Sequence, residues 1–376
     1  MTGIVIQSKQ EMKEVQTLLS KQMPHYRQAY SDRTAWVMAC ISELAYIRFN
    51  PLIEGFKTDK LIEKITSVDT KSSGIGKIRD ILKTFSYDHE QEERVLKNEL
   101  DQLNYKLVKT FDSDGTQAIL IENDKHIVLA FRGTESNSIK DIKADAKAIA
   151  KKDSSGGKIH SGFEEAYQKV AFSIEKALDA PDLKEKPLFI TGHSLGGALA
   201  TIAAKKLSHT GGNSACYTFG APRVGDANWV SNIKTPLYRV VNAADCVTML
   251  PPSSETITLM GWVLGLIPNI GSQVRSWLLD KFDGYIHGGN MRYLTNCTAG
   301  DYDKVKLLYS VSWFYRIKAL FIKKLSYKKP LSDHAISTYR KKLFIVAKTR
   351  NQQTDYSHAS GASGVDATPE PQGYPT

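Results

Sequence analysis

The residues from Pro187 to Leu207, PLFITGHSLGGALATIAAKKL, constrain the fold more than any other part of this 376-residue chain. The apolar run Pro187 to Thr191 reads as a buried strand, and the alanine-rich run after Ser194 reads as a helix. Between them lies Gly-x-Ser-x-Gly, as Gly192, His193, Ser194, Leu195 and Gly196. A serine at the tip of so sharp a strand-to-helix turn sits in a strained backbone with its hydroxyl above the sheet edge. A side chain at either flanking glycine would collide with neighbouring backbone. The helix amino terminus behind the serine offers N–H groups to a developing oxyanion, and Ala198, Ala200, Ala203 and Ala204 let that helix pack close to the sheet. Acyl transfer is the chemistry such a turn suits. The competing reading is a glycine-rich turn with an incidental serine, and the flanking strand and helix weigh against it.

In chain order, the first 34 residues are polar and read as a peripheral segment, and Ala35 to Phe49 carries apolar residues at helical spacing. From Glu54 to Gln102 the chain turns charged around a Ser/Gly stretch, as a helical insertion would. Strands are expected at Tyr105–Phe111, Thr116–Glu122 and His126–Phe131, the last running into Arg132, Gly133 and Thr134. His160 to Phe163 opens another helix. Beyond the Ser194 turn come strands at Ala215–Phe219 and Pro236–Asn242. Strands alternating with helices make this an α/β chain with a mostly parallel central sheet and helices on both faces. One domain is expected over residues 35–349, with insertions at about 54–102 and 253–284, followed by a disordered tail over 350–376 rich in Ser, Gly, Pro and Gln. The uncharged run Thr256 to Val274 is interrupted by Gly and Pro, so it reads as a core or interfacial element rather than a membrane span.

Four widely spaced cysteines, Cys40, Cys216, Cys246 and Cys297, show neither metal-ligand nor disulfide rhythm and read as reduced thiols. Nothing implies a cofactor or a metal. The first thirteen residues lack a charged start followed by an apolar block, so synthesis is expected to end in the cytoplasm, with peripheral membrane binding or signal-independent export as further options. A formal net charge of +10 implies attraction to anionic surfaces. From Trp313 to Arg350 there are eleven Lys or Arg against one acid, Asp333, among aromatic and aliphatic residues. Such a mixture suits a peripheral contact with anionic membrane, or equally a solvated basic face over a core-packed stripe. Nucleic acid is not expected as a partner, since no zinc-finger, RNP or helix-turn-helix signal accompanies the charge. No oligomeric state is assigned.

A serine hydroxyl is nearly inert at neutral pH and needs a histidine base, which needs a carboxylate to fix its tautomer. Asp245 ends a predicted strand on the same sheet edge as Ser194, where catalytic groups of parallel sheets gather; otherwise it is an acidic loop residue. Of the histidines after Ser194, His209 falls near the wrong end of the nucleophile helix and His358 in the tail. His287, in GYIHGGN, and His334, in LSDHAISTY, both remain on residue type alone.

With these residues in hand, the chain resembles the class 3 lipases, the fungal-lipase-like family of the α/β-hydrolase superfamily. FRGT (Phe131–Thr134), HSGF (His160–Phe163), GHSLGG (Gly192–Gly197), FGAPRVG (Phe219–Gly225) and a strand leading to Asp245 with LPP behind it carry the resemblance in order. It implies an α/β-hydrolase fold and hydrolysis of acyl-lipid esters. It also implies His334 as base, from the Asp333, His334, Tyr339 pattern, with His287 structural. An oxyanion hole from Thr134 and the Leu195 N–H follows in the same way. The sequence departs from the family where a bulky apolar lid helix is usual, because Ile139 to Ala150 is polar. A serine ester hydrolase of acyl lipids, of lipase or phospholipase A type, with Ser194, Asp245 and His334 as triad is therefore expected, and the basic carboxyl third modestly favours phospholipid over neutral glyceride. The alternative is a catalytically inactive membrane- or partner-binding module on the same scaffold.

Overall fold

A strand whose every residue is apolar must be covered on both faces of its sheet, and the alternation of side chains then feeds two separate cores. Ile127–Phe131 is such a strand and is buried throughout. The computed structural model describes residues 3–21, 29–47, 89–133, 150–243, 245–252, 257, 284–298, 300–312, 315–316 and 329–360. Its main sheet consists of β1 (Lys106–Ser113), β2 (Thr116–Glu122), β3 (Ile127–Phe131), β6 (Leu188–His193), β7 (Asn213–Phe219), β9 (Leu237–Asn242), β11 (Asn290–Leu294) and β12 (Leu307–Leu308). They lie in the order β1-β2-β3-β6-β7-β9-β11-β12. The five strands from β3 to β11 run parallel, with antiparallel strands at both edges. A smaller sheet joins β4 (Ala150–Lys152), β5 (Lys158–His160), β8 (Gly225–Asp226) and β10 (Tyr285–Ile286).

The helices divide between the two faces. Helices α1 (Lys9–Ser20), α2 (Asp32–Leu44), α3 (His89–Gln102) and the long α8 (Ile336–Ser360) share one core with Val128, Ala130, Phe189 and Val240. Helices α4 (Ser161–Leu178), α5 (Leu195–Lys206) and α6 (Ala227–Ser231) share the other with Ile127, Leu129, Phe131 and Ile190. The period-two exchange of β3 and β6 residues between the cores is the pleat expressed in packing. A short α7 (Lys329–His334) precedes α8. The doubly covered, mostly parallel sheet expected from the sequence is thus present, and helix α5 packs so tightly against it that a Cβ at Gly196 would meet the backbone carbonyl of Phe131.

Both ends of the chain differ from the sequence reading. The amino-terminal residues are not peripheral: Val5, Ile6, Val15 and Leu18 are buried in the first core. The Ile4 and Val5 N–H groups donate to the Glu99 carboxylate at 2.6 and 3.0 Å, and Arg340 donates to the carbonyls of the same two residues. Four well-spaced apolar residues in a polar stretch, clamped by a buried acid and a buried base, outweighed its overall composition. The expected tail also starts late, because α8 continues to Ser360. Residues 351–360 contain neither Gly nor Pro, so nothing in them breaks the helix. The expected insertion ending at Gln102 closes with α3, whose Leu96 and Leu100 are core residues. Residues 48–88, the polar segment 134–149, the apolar run 258–283 and the tail 361–376 lie outside the described residues.

The basic carboxyl third is resolved in part. Within α8, Arg340 pairs with Glu43, Lys342 donates to Asn242 Oδ1 and the Thr295 carbonyl, Lys348 pairs with Glu14, and Arg350 with Asp32. These cations serve the fold's own acids and carbonyls, over a buried stripe of Tyr339, Leu343, Phe344 and Ala347. Among the described residues, no helix is long and apolar enough to cross a membrane. All four cysteines are free thiols.

Candidate active site

The end of β6 turns directly into α5 through Ser194, whose φ of 57° lies in the left-handed region that a non-glycine residue adopts only at a cost of about 1–3 kcal/mol. Close packing holds it there: the Ser194 N–H donates to the Phe219 carbonyl of β7 at 2.9 Å, and its own carbonyl accepts from Gly197 at 3.0 Å. Leu195 is the first residue of α5, so its N–H is one of the four that a helix leaves without an intrahelical acceptor. Gly133 passes against the same turn, near the His193 carbonyl and Ser194 Cβ. Thr134, the other expected oxyanion donor, lies outside the described residues.

Two later segments converge on the serine. His334, at the end of α7, lies with Nε2 2.9 Å from Ser194 Oγ and with Nδ1 3.0 Å from both oxygens of Asp245. Asp245 follows β9 and is fully buried. Its Oδ1 also accepts from the Val247 N–H at 2.9 Å, and its Oδ2 from the Tyr339 hydroxyl at 2.6 Å. These donors hold the carboxylate facing the imidazole, so Nδ1 carries the proton and Nε2 is left to accept from the serine. Burial and the adjacent Asp245 push the Tyr339 hydroxyl well above its ordinary value, so it remains a donor. Asn242, the last residue of β9, organises the approach: its Nδ2 donates to the Asp333 carbonyl at 2.7 Å, and its N–H donates to Tyr339 Oη at 3.0 Å.

A second imidazole supports the first. His193 Nε2 donates to the His334 carbonyl at 2.6 Å, and Tyr46 donates to His193 Nδ1 at 2.8 Å. Burial, followed by the neighbouring His334, keeps His193 neutral well below its ordinary pKa. Sequence reasoning missed Tyr46, since nothing near it in the chain signals a partner 147 residues away. His287, the rival base, donates instead to the Thr248 carbonyl at 2.6 Å, and His209 to the Lys186 carbonyl at 2.7 Å. Neither is among the hydrogen-bond partners of Ser194. Among the described residues, no cluster of side chains has the make-up of a metal site.

Buried neutral histidines give the fold a defined response to acid. Burial lowers His160 to about 4, and His193 and His287 are also held well below their ordinary value by burial. In the unfolded chain each titrates near 6.5, so below that pH the unfolded state binds more protons and stability falls as pH falls. Each such group removes about 1.4 kcal/mol per pH unit until its folded pKa is reached. Urea unfolding from pH 6.5 to 4 should show this slope, and His160→Gln should flatten it. An unchanged slope would mean that His160 takes up its proton in the folded protein.

A serine in a strained elbow at the carboxyl edge of a mostly parallel sheet, with helices on both faces, defines the α/β-hydrolase fold. Residues 128–255 match the family described as Lipase (class 3). A protein from Fusarium solani named secreted mono- and diacylglycerol lipase 1 is 44% identical over 100 residues, which are 25% of this chain and 30% of that protein. A lipase of Rhizomucor miehei is 36% identical over 167 residues, covering 40% of this chain and 45% of that one. A solved lipase of Rhizopus microsporus var. chinensis aligns with 81% of this chain and 87% of its own, at 21% identity and a TM-score of 0.48. The match to the class 3 lipase family thus lies over residues 128–255, and the chain spans 30–51% of the length of the curated relatives it matches. The expected cytoplasmic location is corrected by the same comparison. The Fusarium solani relative is a secreted lipase by name. A polar stretch of first residues was poor ground for a location.

Proposed function

We propose that this chain is a serine ester hydrolase of acyl lipids, with Ser194 as nucleophile, His334 as general base and then acid, and Asp245 orienting and stabilising the imidazolium. The observation that carries the reading is the 2.9 Å approach of His334 Nε2 to Ser194 Oγ. Ser194 Oγ attacks the ester carbonyl while its proton passes to Nε2, and the Leu195 N–H, with Thr134, stabilises the oxyanion; each donor of this kind contributes about 3 kcal/mol. Collapse expels the alcohol, which takes the proton from His334. Water then enters by the reverse sequence and releases the fatty acid, restoring Ser194. Substrate class follows from two observations. The relatives are named as lipases, one of them for mono- and diacylglycerol. Arg340, Lys342, Lys348 and Arg350, which could have drawn the protein to anionic phospholipid, are engaged within the fold. Neutral glycerides are therefore the first choice and phospholipids the second.

The test pairs a reagent with a substrate. A fluorophosphonate probe should label the full chain at Ser194, identified by peptide mass, and fatty acid should be released faster from dioctanoylglycerol than from phosphatidylglycerol vesicles. No labelling and no release from either lipid would leave only the inactive binding module. Release from phosphatidylglycerol alone would reverse the substrate order.

A further inference from the structure

The carboxyl end of helix α2 is keyed to the strand before Ser194 by two rungs. Ser42 and Tyr46 stand four residues apart and so share one side of that helix end, while Thr191 and His193 alternate onto one face of β6. Tyr46 prolongs the last turn, its N–H donating to the Glu43 carbonyl at 3.1 Å. The first rung joins Ser42 Oγ to Thr191 Oγ1 at 2.9 Å, both residues fully buried. The second joins Tyr46 Oη to His193 Nδ1 at 2.8 Å. From there the line runs on to the triad, since His193 Nε2 reaches the His334 carbonyl at 2.6 Å and the two imidazole centroids lie 4.6 Å apart.

Hydrogen-bond chemistry sets the direction of this line. A carbonyl only accepts, so Nε2 of His193 carries the ring proton. In a neutral ring Nδ1 is then the acceptor, and the Tyr46 hydroxyl is its donor. Burial holds His193 neutral. The other tautomer would set the Nε2 lone pair against the His334 carbonyl, a costly arrangement in a residue that is 5% exposed. The phenol therefore selects the tautomer that grips His334. The base is held at both ends: Asp245 fixes its ring, and His193 fixes its main chain. Tyr46 also meets the exit of β3. A Cβ at Gly133 would collide with the Tyr46 hydroxyl and the His193 carbonyl, and the Arg132 guanidinium, which donates to Gln117, lies 5.9 Å from the Tyr46 ring centroid.

We infer that Tyr46 is a positioning residue for His334: its hydroxyl fixes the tautomer of His193, and His193 in that tautomer anchors the main chain of the base. The inference rests on the reading of Ser194 and His334 as nucleophile and base. It adds a partner from a helix outside every motif that carries the family resemblance. The hydroxyl acts through His193 and not on the ester itself.

Turnover of p-nitrophenyl butyrate is compared in wild type, Tyr46→Phe, His193→Leu and the double variant, with Ser194→Ala alongside. Tyr46→Phe deletes one oxygen and keeps the ring, so kcat should fall about 10- to 100-fold, the cost of a misplaced catalytic group, with KM within about twofold. In the His193→Leu background the same substitution should change kcat by less than about twofold, because the ring through which the hydroxyl acts is gone. Nitrogen-15 spectra of histidine-labelled protein, with the His193 signals identified by their loss in His193→Gln, should show Nε2 protonated in wild type. In Tyr46→Phe they should show a mixture with protonated Nδ1. Tyr105→Phe deletes a hydroxyl from a similar pair, with His126 at the amino end of β3, and should leave kcat unchanged. An unchanged kcat or an unchanged tautomer in Tyr46→Phe overturns the inference. So does the full loss recurring in the His193→Leu background, which would place the hydroxyl on the substrate. Should His193→Leu fail to fold, kcat and tautomer in Tyr46→Phe decide. Activity that survives Ser194→Ala would strike the triad reading itself, whereas a Ser194-dependent enzyme indifferent to Tyr46→Phe strikes only this inference.

Discussion

Ser194→Ala is expected to lower kcat for ester hydrolysis about 10⁶-fold while the protein stays folded. The size follows from what the hydroxyl does. Without Oγ no acyl-enzyme forms, and water must attack a carbonyl held only by binding and oxyanion contacts, which leave a residual acceleration of about 10³–10⁴ over the uncatalysed reaction. Stability should change by about 1 kcal/mol at most, for two opposing reasons. Alanine inherits the 57° φ, so the backbone strain remains, and His334 Nε2 loses its 2.9 Å partner in a site that is buried. Relief comes from removing a polar atom that is itself buried, since Ser194 is 1% exposed. Turnover of p-nitrophenyl butyrate and a urea melt measure the two quantities. Activity within tenfold of wild type in a folded Ser194→Ala would end the nucleophile assignment.

The contrast between Ser194 and its partners explains what could be read from residue order. The Ser194 turn is local: strand, turn, helix start and three glycines occupy ten consecutive residues from Leu188 to Gly197, and steric exclusion between Gly192 and Gly196 fixes their geometry. Asp245 was legible for a similar reason, being three residues beyond the last residue of β9 and so confined to the same edge of the sheet. The proposed base is different in kind. His334 meets Ser194 across 140 residues and Asp245 across 89, and no periodicity encodes such a meeting. On residue type His287 and His334 were equivalent, and family resemblance separated them. Tyr46, Asn242 and Arg316 escaped notice altogether, because their partners were set by how α2, β9 and the 315–316 segment pack. The amino-terminal segment failed for the opposite reason: Val5, Ile6, Val15 and Leu18 looked too sparse to form a core face until Glu99 and Arg340 supplied the backbone partners that hold them.

Exchanging the two candidate histidines should give opposite phenotypes. In the proposed mechanism His334→Ala removes the group that accepts the Ser194 proton and returns it to the leaving alcohol, and should cost about 10⁶ in kcat, as large as loss of the nucleophile, because there the two act as one unit. Combining His334→Ala with Ser194→Ala should therefore add almost nothing, which is the signature of a shared step rather than of two independent defects. His287→Ala should spare kcat to within about tenfold and instead destabilise the fold by about 1–3 kcal/mol, by removing a buried donor from the Thr248 carbonyl. Electrostatics point the same way. Burial, then Arg239 and Arg223, hold His287 neutral well below its ordinary pKa, and its Nε2 proton is committed to a carbonyl. Near-normal turnover in His334→Ala together with a dead but stable His287→Ala would transfer the base to His287 and undo the reading of the site.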